Sequence, residues 1–513
     1  MILPETFSCQ GVQGPRAFID TMRGKCYHPT CLAVSGRGKR ILQHLIRSVR
    51  NHRGDLVVGL LKALTQIGLF LIFYLLMSIH NWQLTNASRT SATTALFWIA
   101  MTAAMHGVYG GYEIGRKKSK PIITNMTLGV LITDLVTFLQ LQIMNVNANN
   151  NERLLFFTSP DFPYLLLAMI LQAVFLFFIV HLGNHLYFSI YPPKRCLLVL
   201  GEMSDKAMIT DKLNHFRLQW KVEDAVTWEC KDLRARVEAA EVVFIASVPE
   251  NAAMEILQIC YDLHRDVLCK AQLQDIMLSS AQQVVIDDAP FLEMDYHKMT
   301  LFQRIVKRMG DVVVSAFVLL ILSPLLGVIA LLIHNEDGGP AIFRQPRMTI
   351  GGRNFTIYKF RTMYVHGGEH QVSATKDDPR ITKVGRVLRR TRLDELPQFY
   401  NILKGDMTLV GPRPEMLDNV EKYKSGMPTF VYREKVKAGL TGYAQIEGKY
   451  NTSPEDKLML DLMYIENFSL LNDVRLIFRT LTVLFRKDST EAFSQPDMVA
   501  EARGKKGKGR KGK

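Results

Sequence analysis

Apolar residues run in four long stretches through the first 190 positions, at approximately 57–79, 94–114, 122–144 and 163–189. Each supplies roughly the 20 residues that a helix needs to cross a hydrocarbon core. Four in succession predict a four-helix transmembrane region over 55–190. The connecting segments set its direction. Nine Lys or Arg precede the first stretch, ending with Arg47, Arg50 and Arg53, and Arg116, Lys117, Lys118 and Lys120 separate the second from the third. Lys194 and Arg195 follow the fourth, whereas the other two loops hold only Arg89 and only Arg153. This bias places both chain ends, and everything after Tyr191, in the cytoplasm. Asp134 and Lys62 are the charges away from the ends of the stretches; well separated, they suit structural or helix-end roles better than a transport path.

From Lys194 the pattern changes to short β-rich runs alternating with helical ones. Cys196–Leu200, Glu241–Ala246, Asp266–Cys269 and Val284–Ile286 read as strands, and Asn251–His264 as a helix between them. The alternation predicts a small Rossmann-like α/β domain with a parallel sheet over 194–295. Its first strand ends in Gly201-Glu202-Met203-Ser204, which keeps only the first glycine of a G-x-G-x-x-G dinucleotide fingerprint. Without the second glycine a side chain blocks close approach of a pyrophosphate. A structural or regulatory role is expected for this domain.

A further apolar run, VVVSAFVLLILSPLLGVIALLI, follows Asp311. It is long enough to span a bilayer, yet Lys307 and Arg308 precede it and Arg344 and Arg347 follow it. Ser323-Pro324 sits at its middle, where proline removes a backbone hydrogen bond and clashes with the preceding turn. The combination predicts a re-entrant membrane hairpin at 311–333, broken at Ser323 and Pro324. A kinked ordinary span is the alternative.

Composition adds two points. The chain of 513 residues is 48% apolar yet carries a formal charge of +15. A protein held against an anionic leaflet combines these naturally, and nucleic acid is the competing explanation for the charge. Seven of the cations fall after Ala502 in RGKKGKGRKGK, which has no apolar residue to bury. Residues 494–513 are therefore expected to be a disordered basic tail, and no nucleic-acid partner is assigned. The seven cysteines, at 9, 26, 31, 196, 230, 260 and 269, form no disulfide framework. Cys26 to Cys31 lacks a second ligand pair for zinc. Residues 1–54 show no cleavable signal pattern and are expected to be a cytoplasmic, partly disordered leader, or to reflect a misplaced start codon.

Candidate chemistry lies near the C-terminus. In FTIYKFRTM (355–363), a strand with period two would point Lys359 and Arg361 to one face, two cations suited to a diphosphate. An ordinary solvated strand face would look the same. In TKVGRVLRRTRLDELPQFYNILKGDMTLVGPRPE (382–415), Asp394 and Glu395 stand at a predicted helix start, downstream of Arg386, Arg389, Arg390 and Arg392. Cations and a helix N-terminus keep carboxylates ionised, and an ionised carboxylate attacks phosphorus or holds Mg²⁺. Helix capping by Thr391-x-x-Asp394 is the plainer reading. Arg413, between Pro412 and Pro414, has a stiff backbone that can aim its guanidinium.

Residues from about 302 to 490 closely resemble the bacterial sugar transferase family, the monotopic phosphoglycosyl transferases. The matching pieces are KRMGD, the mid-hairpin Ser-Pro, IYKFRTM, LRRTRLDELPQFYNILKGDMTLVGPRPE, GLTGYAQIEGK and DLMYIENFSLLND, in the family's order. The layout resembles the larger members, the undecaprenyl-phosphate galactose and glucose phosphotransferases. The resemblance implies a C-terminal α/β phosphoglycosyl transferase domain and a two-step reaction. Asp394 would attack the sugar-bearing phosphorus of a UDP-sugar, releasing UMP. Polyprenyl (undecaprenyl) phosphate would then take the phosphosugar from the aspartyl enzyme. Glu395 would hold Mg²⁺, and Lys359, Arg361, Arg413 and Arg433 are the candidate phosphate ligands. A homodimer in the bacterial inner membrane is expected by analogy.

The sequence departs from the family pattern at Thr349, Ala438, Tyr443 and Lys449, which leaves the sugar open, with galactose and glucose ahead of N-acetylated hexoses. At Arg475–Lys487, Arg475, Arg479, Thr482 and Arg486 form one helical stripe opposite Ile477, Leu481, Leu484 and Phe485. That pattern predicts a helix lying in the lipid interface, or one packed on the protein core. A catalytically silent scaffold for polysaccharide assembly is the rival function. A transporter built on the four spans is a weaker one, for want of paired charges at their midplane.

Overall fold

The computed structural model describes residues 56–111, 113–115, 117–144, 160–294, 299–364, 378–448 and 452–483. The leader 1–54, the Cys26–Cys31 segment, the tail 494–513 and the positions Lys449, Leu484, Phe485 and Arg486 lie outside them.

Four helices, Leu56–Ser78, Arg89–Tyr109, Ser119–Met144 and Phe162–Ile190, pack together at the N-terminal end. Leu69, Phe73, Met77, Phe138, Leu165, Leu176 and Val180 fill the space between them. Of the four expected spans, the first, third and fourth coincide with helices long and apolar enough to cross a membrane. The second does not. Arg89–Tyr109 falls short in apolarity because its inward face carries Thr90, Thr94, Trp98 and Thr102, while Leu96 and Ile99 face outward. The fourth membrane-scale helix among the described residues is instead Leu301–Asp337. Asp134 is fully buried in the bundle and accepts a hydrogen bond from the Trp98 indole at 2.9 Å. That contact suits the structural role expected for it.

The middle unit is built on a parallel four-stranded sheet in the order β2-β1-β3-β4, with β1 at Lys194–Leu200, β2 at Trp220–Thr227, β3 at Val242–Ala246 and β4 at Asp266–Cys269. Helices such as Glu250–Asp262 cover it through Ile256 and Cys260. The strand β2, WKVEDAVT, escaped the sequence reading because Lys221, Glu223, Asp224 and Thr227 interrupt its apolar positions, which an edge strand tolerates. The run 284–286 belongs not to this sheet but to an antiparallel hairpin of β5 (Gln282–Ile286) with β6 (Ala289–Glu293). Gly201 is explained by packing. A Cβ there would stand 1.9 Å from the carbonyl oxygen of Ser247, so close packing of the two strand ends by itself requires glycine. The described cysteines, Cys196, Cys230, Cys260 and Cys269, are all free.

The C-terminal unit joins an antiparallel pair, β7 (Ile342–Met348) with β8 (Asn354–Phe360), to a short parallel pair, β9 (Thr408–Val410) with β10 (Gly439–Thr441). Ile357, Ile402, Phe430, Leu462, Tyr464 and Leu476 form its core, which Ile276 of the middle unit also enters. The strands β9 and β10 run so close that a Cβ on Gly439 would meet the Gly411 nitrogen at 2.1 Å.

The KRMGD segment fastens the long helix Leu301–Asp337 to this unit. Lys307 donates to the Val410 carbonyl at 3.0 Å and to the Tyr464 hydroxyl at 3.3 Å, and pairs with Asp473. Arg308 donates to the carbonyls of Ile402 and Leu403, at the end of the helix Gln398–Lys404, where a cation complements the helix dipole. Asp311 accepts from the Thr408 hydroxyl and the Leu409 amide. Farther along the same helix, Ile329 and Ile333 pack on Phe360 and Leu388. Between these anchors Val313, Phe317, Leu320 and Ile321 are exposed.

The expected break at Ser323-Pro324 is not a break in the helix. Leu301–Asp337 runs through it with Pro324 inside. The serine hydroxyl donates to the Leu320 carbonyl, the group that proline leaves without an amide.

The C-terminal helix Leu470–Val483 takes the second of its two expected placings, packed on the protein and not in the lipid interface. Leu476 is buried in the core of the C-terminal unit, and Phe478 packs edge-on against Tyr109 of the bundle. Thr482, expected on the headgroup side, is buried, while Leu481 remains 40% exposed. The helix is wedged between the two units, so burial on both sides overrides the simple two-faced pattern.

Candidate active site

The site forms where β8 meets the turn after the helix Lys383–Thr391. Thr382 caps that helix, and the Glu336 carboxylate accepts from the amides of Lys383 and Val384. The helix stops at Arg392, whose φ of 59° is left-handed, a conformation that costs a non-glycine residue energy and is concentrated at functional sites. The chain then makes one tight turn, Leu393–Glu395, before the helix Gln398–Lys404. No side-chain cap forms at that turn, and the Thr391 hydroxyl turns back to the carbonyls of Val387 and Leu388. The capping reading of Asp394 is therefore not realised. Asn401, fully buried, bridges helix Gln398–Lys404 to β8 by accepting from the Tyr358 amide at 3.0 Å and donating to the Thr356 carbonyl at 2.7 Å. This bridge sets Lys359 against the turn.

The two carboxylates occupy opposite environments. Glu395 Oε1 receives Arg413 at 2.9 Å and Lys359 at 3.3 Å, with Arg392 at 3.9 Å. Burial alone would raise its pKa; Arg413, Lys359 and Arg392 outweigh it and hold the carboxyl well below the usual range. Asp394 has no hydrogen bond or ion pair among the described residues. Burial, followed by the charge of Glu395, pushes it up to about 6, against the pull of Lys359, Arg392 and Arg389. Burial lowers Lys359, and Glu395 raises Arg413.

The structure brings together Asp394, Glu395, Lys359 and Arg413. It places the other two candidate phosphate ligands elsewhere. Arg361 lies one residue past the end of β8, so the period-two argument no longer governs it. Its guanidinium pairs with both oxygens of Asp337 and donates to the Pro340 carbonyl, tying the end of the long helix to the sheet. Arg433 sits behind Arg413: it pairs with buried Asp461 at 2.8 Å and donates to the Arg413 carbonyl at 2.7 Å. Both are occupied by protein groups. The sequence reading passed over Arg347 on β7, which interacts electrostatically with Arg413, Glu395 and Lys359. Only cross-strand register reveals it.

For a divalent cation, the oxygens not already engaged among the described residues are those of Asp394 and Glu395 Oε2. Those residues contain no cluster of three or more carboxylate, His or Cys groups suited to a metal. This donor set fits Mg²⁺, which one or two carboxylates commonly hold together with substrate phosphates.

These features describe a membrane protein whose α/β unit, joined to a membrane-scale apolar helix, carries a paired carboxylate ringed by cations. The chain belongs to the bacterial sugar transferase family, whose model matches residues 302–487. It is 40% identical over 189 residues to the UDP-glucose:undecaprenyl-phosphate glucose-1-phosphate transferase of Caulobacter vibrioides, covering 36% of this chain and 71% of that one. Over 183 residues it is 41% identical to the UDP-N-acetylgalactosamine-undecaprenyl-phosphate N-acetylgalactosaminephosphotransferase of Aeromonas hydrophila, covering 35% of this chain but only 43% of the relative. A longer match, 30% identical over 318 residues, joins it to the undecaprenyl-phosphate glucose phosphotransferase of Komagataeibacter xylinus, covering 56% of this chain and 58% of the relative.

Proposed function

We propose that this protein transfers a hexose-1-phosphate from a UDP-sugar to a polyprenyl phosphate, releasing UMP. The observation that carries the reading is the split between neighbouring carboxylates, Glu395 locked by three cations and Asp394 unpaired beside it. An unpaired carboxylate is available as a nucleophile, while a clamped one with its cations offers a charged frame for phosphates.

In the first step an Asp394 oxygen attacks the phosphorus attached to the sugar, and the bond from that phosphorus to the bridging oxygen breaks. UMP leaves with the bonding electrons. In the second step a phosphate oxygen of the polyprenyl acceptor attacks the same phosphorus, and the aspartyl–phosphorus bond breaks to restore the carboxylate. Lys359 and Arg413 hold phosphate oxygens as charge shifts between them. Glu395 would hold Mg²⁺, which when bound would supply further charge neutralisation for the substrate phosphates. Such positioning and neutralisation dominate phosphoryl-transfer catalysis.

The acceptor's hydrocarbon tail requires a site at the membrane surface. The exposed apolar middle of Leu301–Asp337, with both ends fastened to one α/β unit, supports a re-entrant placement. That placement keeps the site on the cytoplasmic face with the N-terminal end of the chain. The relatives above are named for glucose and N-acetylgalactosamine, so these two sugars, with the galactose expected from the sequence, form the first panel.

The test is UMP release by the detergent-solubilised protein with Mg²⁺, undecaprenyl phosphate and that panel, comparing the wild type with Asp394→Asn. Release with one donor, abolished in the variant, supports the reaction and the nucleophile. No release from folded wild-type protein overturns the reading in favour of a silent scaffold.

A further inference from the structure

We propose that Arg347 is a further ligand for the donor's diphosphate, forming a clamp with Lys359 across the β7–β8 pair. This rests on the reaction proposed above and names an additional residue for the same substrate.

Register is the first observation. In the antiparallel pair Phe343 lies opposite Lys359, Gln345 opposite Ile357 and Arg347 opposite Phe355. Directly opposed residues share a face, and alternate residues along a strand return to it. Lys359 and Arg347 therefore rise from one face of the hairpin, the face whose Phe355 and Ile357 are buried in the core. The second cation on Lys359's face comes from the neighbouring strand, whereas Arg361, just past the end of β8, is committed to Asp337.

The second observation is that Arg347 is charged, largely buried and short of an anion. One terminal nitrogen donates to the Pro414 carbonyl at 3.3 Å and the other to the Gln345 amide oxygen at 2.5 Å. Its Nε is buried with no hydrogen-bond partner among the described residues, which also offer it no ion pair. A buried donor left unmet is unfavourable, and an acceptor that enters the site relieves it. Burial and then the repulsion of Arg413 pull its pKa down to about 10, against the attraction of Glu415 and Glu395. It stays protonated at neutral pH.

The third observation is the balance of charge. Lys359, Arg347, Arg392 and Arg413 surround the two carboxylates of the dyad. Glu415, the remaining acid near Arg347, lies within reach of Lys457 at 3.8 Å. A diphosphate supplies the missing negative charge and, at the same time, acceptor oxygens for Nε. Arginine is the residue suited to this, since its planar fork matches phosphate oxygens in pairs. Its hold on Pro414 also couples the clamp to the loop that aims Arg413.

Binding without turnover separates this inference from the reaction it rests on. UDP carries no sugar to transfer, so its affinity for the full-length, detergent-purified protein is read by calorimetry with Mg²⁺ and no acceptor. Arg347→Gln is expected to weaken UDP binding on the order of tenfold to a hundredfold, the range for a lost charged hydrogen bond, while uridine binding stays unchanged. Arg347→Lys, which keeps the charge and loses the fork, is expected to fall between. Equal UDP affinity in the wild type and Arg347→Gln overturns this proposal and leaves the reaction standing. Equal loss of UDP and uridine in both variants also overturns it, pointing to a collapsed loop. A wild type that binds no UDP overturns the reaction itself.

Discussion

The Ser323 hydroxyl donates to the carbonyl of Leu320 at 2.8 Å, the carbonyl whose amide partner Pro324 removes. The pair thus carries a helix through proline within an apolar segment, where an unmet backbone group is expensive. Ser323→Ala should destabilise the protein by about 1–3 kcal/mol, the cost of a backbone acceptor left unmet in apolar surroundings. Adding Pro324→Ala, which restores the amide, should recover most of that loss. Thermal unfolding of the three chains in detergent measures the cycle; a double variant as unstable as the single one would contradict it.

Arg361 and Lys359 should separate cleanly by assay. Arg361→Gln removes the guanidinium that joins Asp337 and Pro340 to the sheet end. Its melting temperature should fall by several degrees while the KM for the UDP-sugar holds. Lys359→Gln, which removes a cation from Glu395, should lower UMP release by at least about tenfold, as expected for a lost charged contact to phosphate, with the smaller change in melting temperature.

Lys307 should matter for stability although it lies far in sequence from the dyad. Lys307→Met deletes the contacts with Val410, Tyr464 and Asp473 and leaves a carboxylate that is 9% exposed without that partner. Breaking a buried ion pair from one side costs about 3 kcal/mol or more. The unfolding midpoint of the purified variant, compared with Lys307→Arg, checks this.

Asp461 predicts a pH dependence. Burial, ahead of the opposing pull of Arg433, raises its carboxyl from 3.8 to about 6. The folded protein therefore binds this proton more tightly than the unfolded chain. The associated stability is fully present below about pH 4 and is lost as pH rises through about 6, an effect on the order of 3 kcal/mol. Unfolding midpoints across that window should fall for the wild type relative to Asp461→Asn. Parallel curves would show that Asp461 does not titrate there.

Gly201→Ala should damage packing. The new Cβ would stand 1.9 Å from the Ser247 carbonyl oxygen, so one of two loops must move. Overpacking of this kind costs about 1–3 kcal/mol. Limited proteolysis should cut faster between 194 and 294 in the variant, and an unchanged pattern would refute the packing account.

The membrane-scale helices, most strands of the middle sheet and the acidic pair Asp394-Glu395 were legible in the amino-acid sequence. Each leaves a local mark: long apolar runs, short β-rich runs, or acids set among cations in a motif. It also identified Lys359 and Arg413, because a strand and a proline-bounded turn constrain direction locally.

Which cations stand together depends on the packing of distant segments. Arg361 shares a strand pattern with Lys359, yet the strand ends at Phe360 and Asp337 claims its guanidinium. Arg347 joins Lys359 through the register of two strands, and Arg433 falls behind Arg413 through its buried pairing with Asp461. The helix Leu470–Val483 likewise carries a two-faced pattern that suits lipid, but packing on both the bundle and the C-terminal unit settles its place. The physical reason is common to all of these. Periodicity reports which way a side chain leaves its own backbone, whereas its partner is set by pairing and burial between segments distant in the chain.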